Sequence, residues 1–218
     1  GGRIPIGYST QDIKKVSMPF AQLYTMSLYF GNRAGIKPVL NNLLFAAKRD
    51  AMDCIIIRRN EGSLFNGLSD SAGVRYLQST KEDSIRLWRI LTEEIEDRKK
   101  YRNEFCALNN LPTQSSESMK KASVYIREKT RPIMILIESM ADFCRNADES
   151  CEKMIPAILA GGFGYNFYFT CCTYHDDPDR LMAEMLFKPF LRDNFFLFFG
   201  GQFNRQRLDQ SLLPEYRR

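Results

Sequence analysis

The sequence contains few of the residues that mark metal-binding or disulfide-rich proteins. Among 218 residues there is one histidine, His175, and the six cysteines form no CxxC pair. A zinc site or a disulfide framework needs paired cysteines or cysteine–histidine spacings, so neither is expected. Cys54 in DCIII and Cys171 and Cys172 in YFTCCTY lie inside apolar runs, which is typical of reduced cysteines buried in a core.

Long hydrophobic runs and a strong charge excess are also missing. No apolar run reaches the roughly 18 residues of a membrane-spanning helix, and the opening GGRIPIGYS does not have the pattern of a signal peptide, so we expect a soluble fragment. The net charge of +5 is mild, and basic residues alternate with acids. Nucleic-acid binders concentrate basic charge on one face, so no nucleic-acid partner is expected. The length favours one domain, covering residues 1–218.

The chain alternates between strand-like runs and helical periods. Strands are predicted at 22–31, 53–59, 131–139, 165–173 and 194–201. Helices are predicted within 38–50, over about 80–108, over about 148–160 with a C-cap at Gly161-Gly162, and near 179–186, whereas 109–121 is predicted as a surface loop. Alternating strands and helices predict an α/β fold with a mostly parallel sheet covered on both faces. Ligands bind such sheets at the carboxyl ends of the strands.

The segment GNRAGIKP (31–38) has the outline of a phosphate-binding loop between a strand and a helix. Gly31 is followed six residues later by Lys37. A working loop has a second glycine before the lysine and a serine or threonine after it, but Ile36 and Pro38 occupy these positions. A second nucleotide element is expected at IESMAD, where the 131–139 strand ends.

Five motifs, taken in their order, carry a resemblance to a known family that covers essentially the whole chain. They are IPIGYS, GNRAGIKP, EEIEDRKKYRNEF, RPIMILIESMADF and FFLFFGGQF. The chain resembles the FtsK/SpoIIIE-type ATPase domains, and more closely the C-terminal ATPase domain of the EssC family of type VII secretion proteins. The resemblance implies a three-layer α/β RecA-like P-loop NTPase fold, with ATP and Mg²⁺ as the ligands of the family.

Residue by residue, the resemblance implies a degenerate phosphate loop made of Gly31, Gly35, Ile36, Lys37 and Pro38. We expect the β-branched Ile36 to resist the positive φ of a glycine and to place its side chain in the path of the polyphosphate. Pro38 is compatible with the first turn of a helix, but it has neither an N–H nor a hydroxyl, and it biases Lys37 toward extended dihedrals. ATP binding is therefore expected to be weak or absent.

The resemblance also implies a degenerate acidic strand. Glu138 stands for the magnesium-site aspartate, Ser139 for the catalytic glutamate, and Asp142 keeps a later acidic position. Hydrolysis needs a group that orients the attacking water, and a serine cannot act as that carboxylate. No catalytic residue and no resident metal are assigned, and the isolated fragment is expected not to hydrolyse ATP.

The function that the resemblance implies is that of a degenerate module in a secretion motor. It would serve substrate recognition, regulation or assembly at the cytoplasmic face of the bacterial membrane, within a membrane-anchored parent chain. The implied partners are small helical-hairpin substrates of the WXG type, neighbouring ATPase domains of the same chain, and further copies in a hexamer. Two alternatives stay open: a competent ATPase that uses Lys37 and Glu138, completed by a neighbour's arginine, and, less favoured, a DNA translocase domain.

Overall fold

A computed structural model describes residues 3–8, 14–19, 24–31, 35–174, 186, 190 and 195–199. The strands are β1 (Arg3–Tyr8), β2 (Lys15–Pro19), β3 (Thr25–Phe30), β4 (Asp53–Arg58), β5 (Val74–Gln78), β6 (Ile133–Ile137), β7 (Phe167–Tyr174) and β8 (Phe195–Phe199). The helices are α1 (Ile36–Arg49), α2 (Lys81–Leu108), α3 (Ser116–Lys129), α4 (Met140–Asn146) and α5 (Glu149–Gly161). The five strands predicted from sequence are therefore confirmed, with slightly shorter bounds.

Six strands form one parallel sheet in the order β5-β4-β6-β7-β3-β8, while β1 and β2 form a separate antiparallel pair. Side chains alternate between the two faces of a strand. Along β4, Cys54 and Ile56 pack with the buried residues of α1, whereas Ile55 and Ile57 pack with those of α2, α3 and α5. We call these two clusters the α1-side core and the α2-side core. The sheet is thus covered on both faces, and the predicted three-layer α/β architecture is confirmed.

Two elements differ from the prediction. The 109–121 segment was expected to be a loop, but α3 begins at Ser116, where the Ser115 hydroxyl accepts the Ser118 N–H at 3.0 Å as an N-cap. Strand β5 was not predicted, because RYLQ is a short and half-exposed run between polar segments. The predicted helix near 179–186 and His175 lie outside the described residues, except for Leu186.

The end of α5 confirms the predicted C-cap. Gly162 occupies the C-cap position with a φ of −65°, which is that of a right-handed helix. The chain continues into a short 3₁₀ turn, Gly162–Tyr165. The left-handed residue comes later, at Asn166, with a φ of 64° just before β7. The reversal into β7 therefore uses an asparagine, one of the residue types that tolerate this conformation.

The outer edge of β5 is closed by the chain itself. The first residue of β5, Val74, exchanges two backbone hydrogen bonds of 2.9 Å with Ser71. The Tyr76 N–H donates to the Asp70 carboxylate at 2.8 Å, and the next outward N–H of the strand, on Gln78, donates to the Asp83 carboxylate at 2.7 Å. An open sheet edge invites pairing with another chain. Here the outward N–H groups already have acceptors.

Candidate functional site

The motifs singled out in the sequence meet at the carboxyl end of the parallel sheet. Gly31 directly follows β3, and Glu138 directly follows β6, with β7 as the single strand between them. Residues 32–34 of the loop lie outside the described part of the chain. The strand–loop–helix context of the phosphate-loop hypothesis is therefore present, and the two predicted nucleotide elements lie at the same edge of the sheet, as in other parallel sheets that bind ligands.

Gly35 is the residue that turns the loop into α1. It takes a left-handed conformation with φ of 81°, and its carbonyl accepts the Val39 N–H at 3.3 Å. The positive φ is thus at Gly35, so no positive φ is imposed on Ile36. Ile36 begins the helix, and its side chain is 6% exposed within the α1-side core. The expectation that Ile36 blocks the path of a polyphosphate is wrong, because its side chain packs inward.

Lys37 and Pro38 lie in the first turn of α1. The prediction that Pro38 is tolerated there is confirmed, but the prediction that it forces Lys37 out of the helical region is wrong. The Lys37 side chain is exposed and has no hydrogen bond or ion pair within the described residues. The helix N-terminus carries a partial positive charge, and Lys37 adds to it. This end of α1 retains an electrostatic preference for anions, although Pro38 offers no hydroxyl to a metal.

Glu138 has no exposed surface, and its carboxylate is bound by the segment that follows β4. Oε2 accepts the Arg59 N–H at 3.1 Å and the Ser63 hydroxyl at 2.6 Å, and Oε1 accepts the Leu64 N–H at 2.6 Å. Three donors to one carboxylate are the usual way in which a buried charge is stabilised. Glu138, for which the resemblance implies a role at a magnesium site, therefore anchors a loop.

Ser139 and Asp142 both stabilise the start of helix α4. The Ser139 hydroxyl accepts the Asp142 N–H at 3.2 Å, which makes Ser139 the N-cap, and the serine is 2% exposed. The Asp142 carboxylate lies in the first turn, where a negative charge is favourable, 3.5 Å from Arg145 Nη1. Ser139 thus has a structural task at the start of α4.

Arg59 is the residue at this site that the sequence analysis missed. Its guanidinium lies over the Tyr174 ring, 5.2 Å from the centroid, and its Nε is 3.9 Å from Asp142 Oδ2. The side chain is 23% exposed. It therefore brings a positive charge to the end of the acidic strand, where the family resemblance implies a metal. The signal was available: RRN directly follows a strand that pairs with the acidic strand.

The cysteines beside the site are buried and unreactive, as expected of core residues. Burial raises the pKa of Cys171 to about 12, opposed in part by a contact with the Ser27 hydroxyl at 3.4 Å. Burial also raises the pKa of Cys172 well above its ordinary value, and the charges of Cys171 and Glu138 add to the effect. Nucleophilic cysteines have lowered pKa values. The interpretation of these residues as core is confirmed.

The residues present do not fit a magnesium–nucleotide complex of the family type. Such a site needs a loop hydroxyl and a free carboxylate at the metal, with a second carboxylate for the water. Pro38 has no hydroxyl, Glu138 is buried and accepts three hydrogen bonds from the loop after β4, and Ser139 is an N-cap. Within the described ranges, no group of three or more histidine, cysteine, aspartate or glutamate side chains could hold a metal ion. Over the same ranges, no helix has the length and hydropathy to cross a membrane.

Two cavities lie near the amino ends of β4 and β5, away from the phosphate-loop edge. One, of about 390 Å³, is on the α2 side and has a polar lining that includes Asp53, Asp70 and Glu94. The other, of about 290 Å³, is on the α1 side and is mainly apolar. We call the second cavity the α1 groove. It is lined by Leu44, Phe45, Lys48, Ala51, Met52, Cys54, Ser71, Ala72, Gly73, Val74, Tyr76 and Arg131. The sequence analysis did not locate it.

The α1 groove carries an exposed aromatic ring at its rim. Phe45 is 68% exposed on the outer half of α1, where an amphipathic helix normally places polar residues. Lys48, one turn further along, is exposed and forms no ion pair with any described residue. A large exposed apolar side chain beside an apolar cavity is a feature of binding surfaces. An aromatic on the polar face of the helix was the available sequence signal.

Comparisons with known proteins identify the fold. No protein-family model matches the chain, and no curated protein sequence matches it significantly. The cytoplasmic domain of EssC matches with a TM-score of 0.71 and 14% identity, over 97% of this chain and 37% of that one. Thermomonospora curvata EccC (ATPases 2 and 3), solved with a signal sequence peptide, matches with a TM-score of 0.67 and 13% identity, over 94% and 35%. The pCW3 conjugation coupling protein TcpA, solved with ATPγS, matches with a TM-score of 0.51 and 12% identity, over 87% and 52%.

These likenesses establish the fold of the chain. At 12–14% identity they confirm an α/β fold similar to that of the ATPase domains of EssC and EccC. The chain spans little more than a third of the EssC and EccC structures, 37% and 35% of their lengths. The predicted RecA-like architecture and the predicted resemblance to type VII secretion ATPase domains are thus confirmed at the level of structure.

Proposed function

We propose that residues 1–218 form one degenerate ATPase domain of a type VII secretion motor, which contributes contacts to export and not chemistry. The fold of EssC and EccC ATPase domains supports the setting. The observation that supports the loss of ATP hydrolysis is that the side chains at the end of the acidic strand already have structural roles. Glu138 is buried and accepts three hydrogen bonds from the loop after β4, and Ser139 is the N-cap of α4. Neither group is available to bind a metal or to orient a water.

The rival function is an ATPase that uses Lys37 and Glu138. Lys37 favours it, because this lysine is exposed at the N-terminus of α1 and can still attract a phosphate. The test is phosphate release by the isolated domain with ATP and Mg²⁺. The proposal requires release at the background level. A steady release that Lys37→Ala abolishes would establish the ATPase and overturn the degenerate assignment.

The proposed partner is a helical export segment that binds the α1 groove without nucleotide. An amphipathic helix can insert apolar anchors at i, i+3 and i+4 into a groove of this kind. Lys48 at the rim favours a segment that also carries an acidic side chain. The T. curvata EccC structure contains a signal sequence peptide, which supports peptide binding by a domain of this fold. Ordering a flexible segment costs several kcal/mol, so we expect roughly micromolar affinity.

The proposed setting follows from the same fold. The domain would lie at the cytoplasmic face of the membrane in an anchored parent chain, beside other ATPase domains and within a hexamer. WXG-type helical hairpins are the proposed substrates, and nucleic acid is not a proposed partner. The net charge of +5 with interspersed acids supports this choice, because weak and scattered basic charge gives only salt-sensitive DNA binding.

A titration of a labelled WXG-type substrate, with and without ATP, tests the partner. Two exposed apolar side chains offer matched variants: Phe45, 68% exposed at the α1 groove, and Leu108, 70% exposed at the end of α2. Phe45→Ser is expected to weaken binding about tenfold or more, since a buried aromatic anchor is a typical hot spot. Leu108→Ser is expected to leave the affinity unchanged. Equal effects of the two variants would remove the groove from the proposal, and binding only with ATP would favour the rival function.

A further inference from the structure

The segment between β4 and β5 contains a contact that the family resemblance does not explain. We call residues 59–64, RNEGSL, the latch segment. Its Gly62 has a φ of 63°, and this left-handed residue curves the backbone back toward the strand end. The Arg59 and Leu64 amides, together with the Ser63 hydroxyl, converge on the carboxylate of Glu138. The chain itself therefore makes an anion-binding nest, occupied by its own acidic side chain.

The position of Glu138 makes this contact informative. Along β6, Met134 and Leu136 face the α1-side core, so the alternation of the strand places Glu138 on the same side. That side also carries α1 and Lys37. The carboxylate is thus on the face where the resemblance implies a metal, yet it already accepts hydrogen bonds from two backbone amides and one serine hydroxyl. The tyrosine Tyr174 adds a hydrogen bond of 2.8 Å to the Glu138 carbonyl.

The latch segment is itself held on both sides. Phe65, the residue after Leu64, is 4% exposed in the α1-side core, and its N–H donates to the Ser63 hydroxyl at 3.1 Å. At the other end the Arg59 side chain reaches Asp142 and the Tyr174 ring. The segment is therefore held at its start and at its end.

We propose that the latch segment substitutes for the divalent metal at the acidic strand. Two amides and one hydroxyl of this segment donate hydrogen bonds to the Glu138 oxygens that would otherwise bind the metal. The Arg59 guanidinium supplies the positive charge beside Asp142. Mg²⁺ therefore does not bind at this site. The negatively charged carboxylate of Glu138 binds the latch segment where it would otherwise bind the metal. This inference concerns the regulation of the proposed degenerate site. It does not depend on the export partner, because its test uses only the isolated chain.

The first measurement is amide hydrogen exchange of the Arg59 and Leu64 N–H groups in Glu138→Gln. The glutamine keeps an acceptor and a similar volume but loses the charge, and charged acceptors bind more strongly than neutral ones. We expect these two amides to exchange about tenfold faster. The amide of Ile135 in the middle of β6 is expected to keep its rate, which separates local opening from global destabilisation. Glu61→Gln is the matched control, since it makes the same change at an exposed carboxylate of the latch segment that accepts none of the three hydrogen bonds.

Ser63→Ala provides a second variant that removes a donor and leaves the carboxylate intact. It is expected to speed the exchange of the Leu64 amide, by a smaller factor than Glu138→Gln. If Ser63 and Glu138 act together, the Leu64 amide of the double variant will exchange more slowly than the product of the two single-variant rate increases predicts. Unchanged exchange at Arg59 and Leu64 in both single variants would overturn the latch.

The second measurement is titration of Mn²⁺ alone, followed by calorimetry or electron paramagnetic resonance. The proposal expects no saturable site below about 1 mM in the wild-type chain, because carboxylates that bind such ions must be free to coordinate them. A stoichiometric Mn²⁺ site that Glu138→Gln abolishes would show that Glu138 leaves the latch for a metal, and would refute the substitution. This outcome is independent of whether any export substrate binds.

Discussion

Arg98 gives the sharpest stability prediction, because it joins α2 to the amino ends of two central strands. Its side chain is 3% exposed, and it donates to the carbonyls of Tyr165 at 2.6 Å, Arg131 at 2.8 Å and Asn166 at 3.3 Å. The guanidinium also lies 4.7 Å from the centroid of the Phe167 ring. A planar group with several donors can serve three carbonyls at once, which no other side chain does.

The expected cost of Arg98→Met follows from which carbonyls lose their donor. The Asn166 carbonyl also accepts the Ile133 N–H at 3.1 Å, so the loss falls mainly on Tyr165 and Arg131. A buried acceptor left without a partner costs about 1–3 kcal/mol. Two of them give about 4 kcal/mol, in line with the roughly 3–5 kcal/mol for removing one member of a buried charged network. Burial lowers the pKa of Arg98, opposed by the charge of Glu94, but an arginine remains protonated at neutral pH.

Urea unfolding followed by the fluorescence of Trp88, the single tryptophan, measures this cost. Arg102→Met is the control, because Arg102 lies one turn further along α2 and, among the described residues, donates only to the Tyr165 hydroxyl and the Asn103 side chain. We expect about 4 kcal/mol for Arg98→Met and less than about 1 kcal/mol for the control. Arg98→Lys should fall between them, because one ammonium cannot span three carbonyls. Equal costs for the two methionine variants would refute the reasoning.

Three further predictions concern the ends of helices. Gly35→Ala should destabilise the fold by about 1 kcal/mol, because no atom crowds the site but its φ of 81° strains an L-residue; Gly161→Ala, with open space and no positive φ, should be neutral or stabilising in the same unfolding assay. Ile36→Gly, the change that restores the family glycine, should lower the free energy of unfolding by about 4 kcal/mol, because it leaves a cavity in the α1-side core and places a glycine in a helix. A decrease of less than about 1 kcal/mol would contradict the buried placement of Ile36. Hydrogen bonds from Ser150 lower the pKa of Asp148 to about 2, so its stabilising effect is present above the unfolded pKa near 4 and is lost as the pH falls through about 2. Asp148→Ala should therefore lower Tm at pH 7 but not near pH 2, and an equal decrease at both pH values would show that the carboxylate charge is not responsible.

The strands and the long helix could be predicted from the sequence because their patterns are local. The run IMILI is apolar at every position, as a strand buried on both faces requires, and the structure has it as β6. In α2, Thr80 at the N-cap with Asp83 three residues later is a local start signal. Helix α3 was missed because Ser116–Lys129 buries only a narrow stripe in a polar segment, and this stripe packs against α2, a contact that no pattern within the segment itself indicates.

The candidate site could be predicted in its parts but not in its contacts. Sequence spacing indicated Lys37, Glu138 and Ser139, and the structure brings the two elements to one edge of the sheet. The direction of the Ile36 side chain depends on where α1 begins, which the position of Gly35 decides. The donors of Glu138 come from a segment 74 to 79 residues earlier in the chain, and no local pattern connects them.

The closed edge of β5 has a consequence for folding in a chain with several domains of one fold, the arrangement proposed above. Neighbouring copies of a sheet on the same polypeptide meet at high effective concentration while each is still incomplete, and similar strands can then pair across domains. Asp70 and Asp83 supply intramolecular acceptors for the outward N–H groups of β5, so a foreign strand finds those groups occupied once the adjacent turns have formed. A neighbouring domain on this side then finds no free N–H donor along β5, which disfavours strand pairing and favours contacts that form and dissociate without it.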